Sequence, residues 1–340
     1  MVDIINLDEC ELSSRAGTYG GKAGFKDGII YKKEFWIVKY PKNTAGMRVE
    51  DMSYSTAPLS EYIGSQIYRI LGFPVHETFL AFRNNKIVVA CKDFCKYEGQ
   101  LREVRTIKNL ANPELAELLE RNFSETGSGA TDIEELLLHI KYNDILSNVD
   151  GIEQRFWDCI VIDALINNND RNNGNWGVLR EQNRYVLAPI FDNGACFSNK
   201  VSDERIRKFL MDESLLEASV TNTVSTYGKD GKHFNIRKLF EMDYEQLYVS
   251  LERLYPVIVN KFEEIKTMIN DIPEMFGDLY VCSKERKLYY LRSMEMRMNK
   301  IFRPALERRG ITKLPVLDLK HVSIGETESK ISKDYDDFER

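Results

Sequence analysis

A polar loop segment near the middle of the chain constrains its folding most strongly. Residues 167–177 contain Asp170, Asn175 and several further amides, and Asp192 follows about one hairpin later. An apolar run at residues 156–166 leads into this loop. Two strand-like stretches separate the loop from Asp192: residues 176–180 and residues 185–190. Because these stretches are expected to pair, the three polar side chains are predicted to converge at one end of the pair.

The residue types and spacing of this segment match a metal–phosphate site. Phosphoryl transfer needs an aspartate that faces the acceptor hydroxyl, an asparagine five residues later for Mg²⁺, and a second aspartate that bridges metal and phosphates. The patterns D-x-x-x-x-N and F-D-x-G at Asp170, Asn175 and Asp192 fit these requirements. Asparagine and aspartate also turn the backbone for purely local reasons, so a structural turn is the alternative interpretation.

The composition excludes several classes of protein. A chain of 340 residues is long enough for two lobes, and 43% hydrophobic with 29% charged residues is ordinary for a globular protein. No run of about 18 apolar residues occurs, so no membrane span is predicted. The first residues lack the basic start and long apolar stretch of a signal peptide, which predicts a cytoplasmic protein.

The charge balance and the cysteines narrow the choice further. The 47 basic and 53 acidic side chains give a net charge of −6, which disfavours autonomous nucleic-acid binding but allows a local nucleotide site. The six cysteines are scattered, and the one close pair, Cys91 and Cys95, has no second pair at zinc-site spacing. They are predicted to be reduced packing residues.

A glycine-rich segment precedes the first long predicted strands. Residues 13–28 contain five glycines and few large apolar side chains, so backbone N–H groups could approach a phosphate closely. The segment is neither a Walker A motif nor G-x-G-x-x-G, and a flexible surface loop is the alternative. The candidate ATP-contacting residues in this segment are Gly17, Thr18, Tyr19, Gly20, Gly21 and Lys22.

A lysine lies inside an apolar strand soon after this segment. Residues 34–40 are rich in β-branched and aromatic side chains, and Lys39 is near their end. Kinases present a glycine-rich cover and then a strand lysine to ATP in this order, whereas a strand lysine more often faces solvent. Residues 59–72 have a helical pattern. Glu61, near the start of that helix, either pairs with Lys39 or reflects the preference for acidic residues at helix N-termini.

A predicted hairpin and a change of pattern divide the chain. Residues 76–83 and 86–94 have the pattern of two strands joined by an asparagine turn. Lys92, Asp93 and Phe94 leave the hairpin where a two-lobed kinase places the hinge that contacts adenine. Helical patterns dominate afterwards, for instance at residues 203–211, at residues 244–270 with Pro256 as a potential break, and at residues 283–309. We therefore predict three regions, an N-terminal lobe, a helical lobe and a disordered tail: residues 1–96, 97–324 and 325–340.

Taken together, these motifs resemble the HipA-like kinases, especially the shorter CtkA-like members. The resemblance rests on four elements in the family's order: the glycine-rich segment ending at Lys22, Trp36-Ile37-Val38-Lys39-Tyr40-Pro41, Asp170-Arg171-x-x-x-Asn175 and Phe191-Asp192. It implies an α+β, two-lobed, protein-kinase-like fold, with a smaller antiparallel β lobe that holds one helix and a larger, mainly helical lobe. Many members have histidine two residues after the catalytic aspartate, where this chain has Asn172.

The resemblance also implies roles for individual residues in a protein serine/threonine kinase that uses ATP and Mg²⁺. Lys39 would contact the ATP phosphates, and Asp170 would orient the acceptor hydroxyl. Asn175 and Asp192 would bind metal. Arg171 would be structural or would stabilise charge.

Self-regulation is a further expectation from the resemblance. Thr18, with Ser14 as a second candidate, would be autophosphorylated, and the added charge would repel ATP and lower activity. Simple hydrogen bonding of these hydroxyls within their own loop is the alternative. For the whole chain, the alternatives are a small-molecule or phosphoinositide kinase and a non-catalytic nucleotide-binding regulatory module.

Overall fold

The N-terminal part of the chain forms a five-stranded sheet. The computed structural model describes residues 1–15, 26–45, 52–123, 130–317 and 319. The strands of this sheet are β1 (Ile5–Asn6), β2 (Lys26–Tyr31), β3 (Glu34–Lys39), β4 (Thr78–Arg83) and β5 (Lys86–Lys92). Their spatial order is β1-β4-β5-β3-β2, and every neighbouring pair is antiparallel except β1 with β4. The predicted antiparallel lobe therefore has one parallel edge.

Two-residue turns fix the register of this sheet. Lys32 and Lys33 join β2 to β3, and Asn84 and Asn85 join β4 to β5, all with positive φ. Such pairs of left-handed residues match the twist of a hairpin. The resulting register places Lys39 opposite a residue of the central strand β5, so the lysine lies inside the sheet and not at its rim.

Helix α1 (Ala57–Ile70) covers one face of the sheet. Ile63 and Ile67 of the helix are fully buried in one apolar cluster with Leu80 and Val89 of the sheet. The opposite face of the sheet has its own small core, which includes Trp36, Val38 and Ala81. The helix thereby turns its buried side, including Glu61, toward the level of Lys39.

The larger part of the chain is mainly helical. Its helices are α2 (Val104–Lys108), α3 (Pro113–Asn122), α4 (Ile133–Tyr142), α5 (Ile152–Ile166), α6 (Asp203–Met211), α7 (Glu213–Thr221), α8 (Ile236–Leu239), α9 (Glu245–Asn270), α10 (Lys284–Arg297) and α11 (Arg303–Arg308). Its short strands are β6 (Leu101–Glu103), β7 (Thr131–Asp132), β8 (Gly177–Glu181), β9 (Arg184–Leu187), β10 (Val224–Lys229), β11 (Lys232–Asn235), β12 (Met275–Phe276) and β13 (Leu279–Tyr280). Helix α5 is buried over most of its length and packs against α9 and α10.

Several local expectations from the sequence need correction. Helix α9 runs without a break through Pro256, so the lost backbone hydrogen bond is tolerated inside a well-packed helix. The single helix expected at residues 283–309 is interrupted by a π-helical turn, Met298–Phe302. Strands β10 and β11 were not predicted, because β10 pairs with β7, which lies far away in sequence.

Other expectations concern membranes, cysteines and the tail. Within the described residues, no helix has the length and apolar character needed to cross a membrane. All six cysteines are free thiols, and four of them are buried. The predicted tail, residues 325–340, lies outside the described residues.

Candidate active site

Lys39 is held between the two parts of the chain by two carboxylates. Its Nζ lies 2.8 Å from Oε2 of Glu61 on α1 and 2.7 Å from Oδ1 of Asp192. Glu61 is only 1% exposed and lies beyond the first turn of α1. Its position therefore agrees with the pairing to Lys39 and not with a preference for the helix N-terminus.

Lys39 stabilises the ionised forms of Glu61 and Asp192, and each of these carboxylates stabilises the charged form of Lys39. Burial alone would lower the pKa of Lys39, but Asp192 and Glu61 outweigh that effect and hold it well above its usual value. Burial would raise the pKa of Glu61, yet the charges and hydrogen bonds of Lys39 and His76 lower it. The charge of Lys39 likewise lowers the pKa of Asp192 against the opposing effect of burial. One cation is thus shared by two carboxylates at neutral pH.

A second ion pair lies behind the polar loop. Arg171 is 1% exposed and binds the carboxylate of Asp163 with two nitrogens, at 2.9 Å from Nε and 3.1 Å from Nη2. Its Nη1 also donates to the backbone oxygens of Asn175, at 3.0 Å, and of Phe191, and its Nη2 donates to Oδ1 of Asn193. Arg171 therefore joins the loop of Asp170 and Asn175 to the segment of Asp192.

Asp170 and Asn175 are adjacent at the surface of this loop. Nδ2 of Asn175 donates to the backbone oxygen of Asp170 at 2.5 Å. Because a carbonyl oxygen can only accept, the amide nitrogen of Asn175 faces it and Oδ1 is left as a ligand. The Asp170 side chain is exposed. Asn175 thus contacts Asp170 directly, and Arg171 joins the backbone of Asn175 to that of Phe191, the residue before Asp192.

A cavity of about 640 Å³ opens beside these groups. Lys39, Asn175 and Asp192 line it together with the predicted hinge residues Lys92, Asp93 and Phe94. The ring of Phe94 packs on the ring of Phe191 at 5.7 Å between centroids. The ammonium group of Lys92 pairs with Glu34 and Glu77, at 2.8 and 3.1 Å. Only the backbone of Lys92 is therefore well placed for a ligand.

The glycine-rich segment can be followed only to its start. Gly17, Thr18, Tyr19, Gly20, Gly21 and Lys22 lie outside the described residues, whereas Ser14 is described and exposed. The neighbouring Arg15 lines the cavity, where it binds Oδ2 of Asp93 at 3.1 Å and stacks over the Phe35 ring at 4.3 Å. The described start of the segment therefore lies against the cavity.

Sequence reasoning missed the residues that support these side chains. His76 and the N–H of Asn193 bind Oε1 of Glu61, at 3.0 and 3.1 Å, and Asn193 also donates to Ser65 at 2.9 Å. Of the supporting residues, Asp163, the partner of Arg171, could have been noticed in the sequence. Asp163 is a carboxylate inside an otherwise apolar helix, and a buried carboxylate requires a partner. No comparable pattern marks His76 or Ser65.

Comparison with known proteins places this geometry in a family. No protein-family model matches the chain. The chain is 33% identical over 284 residues to the serine/threonine-protein kinase CtkA of Helicobacter pylori, a match that covers 80% of each sequence. The crystal structure of the H. pylori proinflammatory kinase CtkA matches with a TM-score of 0.74 and 30% identity, covering 90% of this chain and 98% of that one.

A more distant likeness adds no argument. A chain from the HipA, HipB and operator DNA complex of Shewanella oneidensis matches at 13% identity with a TM-score of 0.49, covering 90% of this chain and 70% of that one. The CtkA match alone confirms the predicted α+β kinase-like fold. The chain therefore belongs to the CtkA-like family of serine/threonine-protein kinases and is a phosphotransferase.

Proposed function

We propose that the protein is an ATP- and Mg²⁺-dependent kinase that phosphorylates serine or threonine side chains of proteins. One observation carries the proposal: Lys39 bridges Glu61 and Asp192 at the wall of a cavity that also reaches Asn175. The related CtkA is a serine/threonine-protein kinase, which supports the choice of acceptor.

The residues present suit Mg²⁺ as the metal. Mg²⁺ prefers a small number of carboxylate and carbonyl oxygens together with phosphate and water. Oδ1 of Asn175 and the carboxylate of Asp192, which is 34% exposed, are such oxygens on the wall of one cavity. When bound, Mg-ATP supplies the phosphoryl group, and the metal offsets the negative charge of the phosphates.

The chain's own residues would divide the remaining work. Lys39 would donate to a phosphate oxygen while Glu61 holds its ammonium group in place. Asp170 would orient the acceptor hydroxyl and accept its proton on a carboxylate oxygen. The N–H groups of Lys92 and Asp93 already donate to Glu77 and Phe35 within the sheet, so we assign adenine recognition to the hinge carbonyls and the N–H of Phe94.

Two variants test the division between binding and transfer. We expect Asp170→Asn to keep nucleotide affinity and to lose transfer by about 10²–10⁴-fold, because it removes only the general base. Asp192→Asn should weaken Mg-ATP binding itself. Calorimetry with Mg-ATP and a transfer assay with labelled ATP and a generic acceptor protein measure the two effects. Full activity in both variants would mean that the loop is a structural turn.

The same assay separates the other functions. Transfer to inositol lipids or small alcohols, but not to protein, would identify a different acceptor class. Tight nucleotide binding with no transfer to any acceptor would identify a regulatory module.

Autophosphorylation at Thr18, with Ser14 as the second site, completes the proposal. Ser14 is exposed directly before Arg15, which lies on the cavity rim. A phosphate on the following segment would bring about −1.5 to −2 charges near the phosphates of ATP, so activity should fall as it accumulates. Intact mass and peptide mapping after incubation with Mg-ATP test this, with Asp170→Asn as the control. An unmodified segment in protein that phosphorylates another substrate would refute the self-switch.

A further inference from the structure

The side chain of Asn172 connects two groups of opposite charge. Its Oδ1 accepts from Nη2 of Arg105 at 2.8 Å and from the N–H of Gly174 at 2.9 Å. Its Nδ2 donates to Oδ1 of Asp170 at 2.9 Å. Arginine and a backbone N–H can only donate, and a carboxylate can only accept, so these partners fix the orientation of the amide.

Arg105 holds the loop at two points. Its backbone N–H, at the start of α2, donates to the oxygen of Asn173 at 2.7 Å, while its guanidinium binds Asn172. The close approach depends on Gly174, where a Cβ would lie 2.0 Å from Nη2 of Arg105. Arg105 also lines the 640 Å³ cavity. One residue therefore touches both the nucleotide cavity and the neighbour of Asp170.

These contacts leave one oxygen of Asp170 available. Oδ1 is occupied by Asn172, whereas within the described part of the chain the nearest donor to Oδ2 is Nδ2 of Asn175 at 3.4 Å. That distance is long for a hydrogen bond, and this Nδ2 already binds the Asp170 backbone oxygen at 2.5 Å. The acceptor hydroxyl would therefore meet Oδ2.

We propose that Arg105 and Asn172 are positioning residues: Arg105 orients the amide of Asn172, which fixes the Asp170 carboxylate with Oδ2 toward the acceptor. This inference rests on the proposed function of Asp170. The proposal also explains how Asn172 can occupy the position at which many family members have histidine. Its amide does not titrate, so it offers both a donor and an acceptor at every pH.

A double-mutant cycle tests the connection. We expect Arg105→Gln and Asn172→Ala each to lower kcat by about 10-fold with little change in the KM for ATP, because a misplaced catalytic group slows the chemical step. If Arg105 acts through Asn172, the double variant also loses about 10-fold, whereas independent roles would multiply to about 100-fold. Arg184→Gln is the matched control, since Arg184 on β9 is exposed and lies outside the cavity.

An isosteric variant separates positioning from loop stability. Asn172→Asp keeps an acceptor for Arg105 and for the N–H of Gly174, and it replaces the donor to Asp170 by a carboxylate oxygen that repels it. Positioning predicts a loss of kcat of at least about 10-fold. A merely structural role predicts near wild-type kcat, and that result would overturn the proposal. So would a multiplicative double variant, or an equal loss of kcat in Arg184→Gln.

Crystal structures of wild type and Arg105→Gln provide a readout that does not need activity. The proposal requires the Asp170 carboxylate to rotate or become disordered in the variant while the loop backbone stays in place. An unchanged carboxylate would overturn it. If the wild type transfers no phosphate, the proposed function fails, and the two structures alone decide whether Arg105 positions Asp170.

Discussion

The two ion pairs of the site differ in how completely their hydrogen-bonding groups are used. The Arg171 guanidinium is 1% exposed and donates to Asp163, Asn193 and two backbone oxygens. The Lys39 side chain is 17% exposed, and among the described residues its ammonium group binds two carboxylates, of which Asp192 is 34% exposed. All N–H groups of Arg171 are thus used to hold the loops together, and we call Arg171–Asp163 the saturated pair. Lys39 can exchange a carboxylate partner for a ligand, and we call Lys39 with its carboxylates the exchangeable pair.

Asn193 contacts both ion pairs and holds them in a fixed relative position. Its Oδ1 accepts from Arg171, its backbone N–H donates to Glu61, and its Nδ2 donates to Ser65. The saturated pair therefore fixes the position of the exchangeable pair. Charge at the site thus has two roles, one in holding the loops together and one in binding a ligand, and variants should separate these roles.

Removal of the saturated pair should have the largest effect. Arg171→Met leaves the Asp163 carboxylate, which is 2% exposed, without its cation, so we expect the free energy of unfolding to fall by about 3–5 kcal/mol. Urea denaturation measures it. Arg171→Met combined with Asp163→Leu should recover part of the loss, because no buried charge is left unpaired. A loss below about 1 kcal/mol in the single variant would contradict the structural role.

Removal of the exchangeable cation should affect activity more than stability. Lys39→Met keeps most of the apolar stem, so we expect about 1–2 kcal/mol of lost stability but about a 10²–10³-fold loss of transfer at subsaturating ATP. Lys33→Met, in the exposed turn between β2 and β3, is the control for removing one lysine. Undiminished transfer in Lys39→Met would remove Lys39 from the phosphate site.

Acid should weaken the fold at a third place before it reaches the Lys39 ion pair. Burial, helped by the nearby Lys108, lowers the pKa of His139 to about 4. As pH falls below the ordinary histidine value of about 6.5, the unfolded state takes up the proton first, so stability is lost until pH reaches about 4. The lowered pKa values of Glu61 and Asp192 mean that their contribution, present above the ordinary carboxylate pKa, is lost only in stronger acid.

We therefore expect stability to fall by about 1–2 kcal/mol between pH 7 and pH 5. Urea denaturation at the two pH values provides the measurement. His139→Gln should lose most of this dependence, and Lys39→Met should retain it. An equal pH dependence in wild type and His139→Gln would show that another group is responsible.

The exchangeable pair was easier to predict from sequence than the saturated one. Lys39 could be found because a lysine inside an apolar strand, after a glycine-rich segment, is an unusual pattern with a known chemical use. Its pairing with Glu61 followed as one of two interpretations. The partners of Arg171 could not be derived, since its guanidinium binds backbone oxygens of two loops that only the folded chain brings together.

The fold shows the same division between local and distant information. Helix α6 was predicted with its observed bounds, because its pattern and its Ser202 cap are local in sequence. The β7–β10 pairing escaped prediction, because neither strand has a strong pattern of its own and their partners are distant. Arg105 escaped for a related reason: its importance lies in a contact across the loop, and its sequence context is that of an ordinary surface residue.

The backbone at Asp192 limits which residues this position can hold. Its φ of 61° is left-handed, a conformation that glycine adopts freely and that asparagine and aspartate tolerate better than other side chains. Among these three, only aspartate gives Lys39 a negative partner. Glutamate has the charge but not the tolerance, and asparagine has the tolerance but not the charge. When all residues are tried at position 192 and phosphate transfer is selected, aspartate alone should be recovered. When only folding is selected, glycine and asparagine should be recovered as well as aspartate.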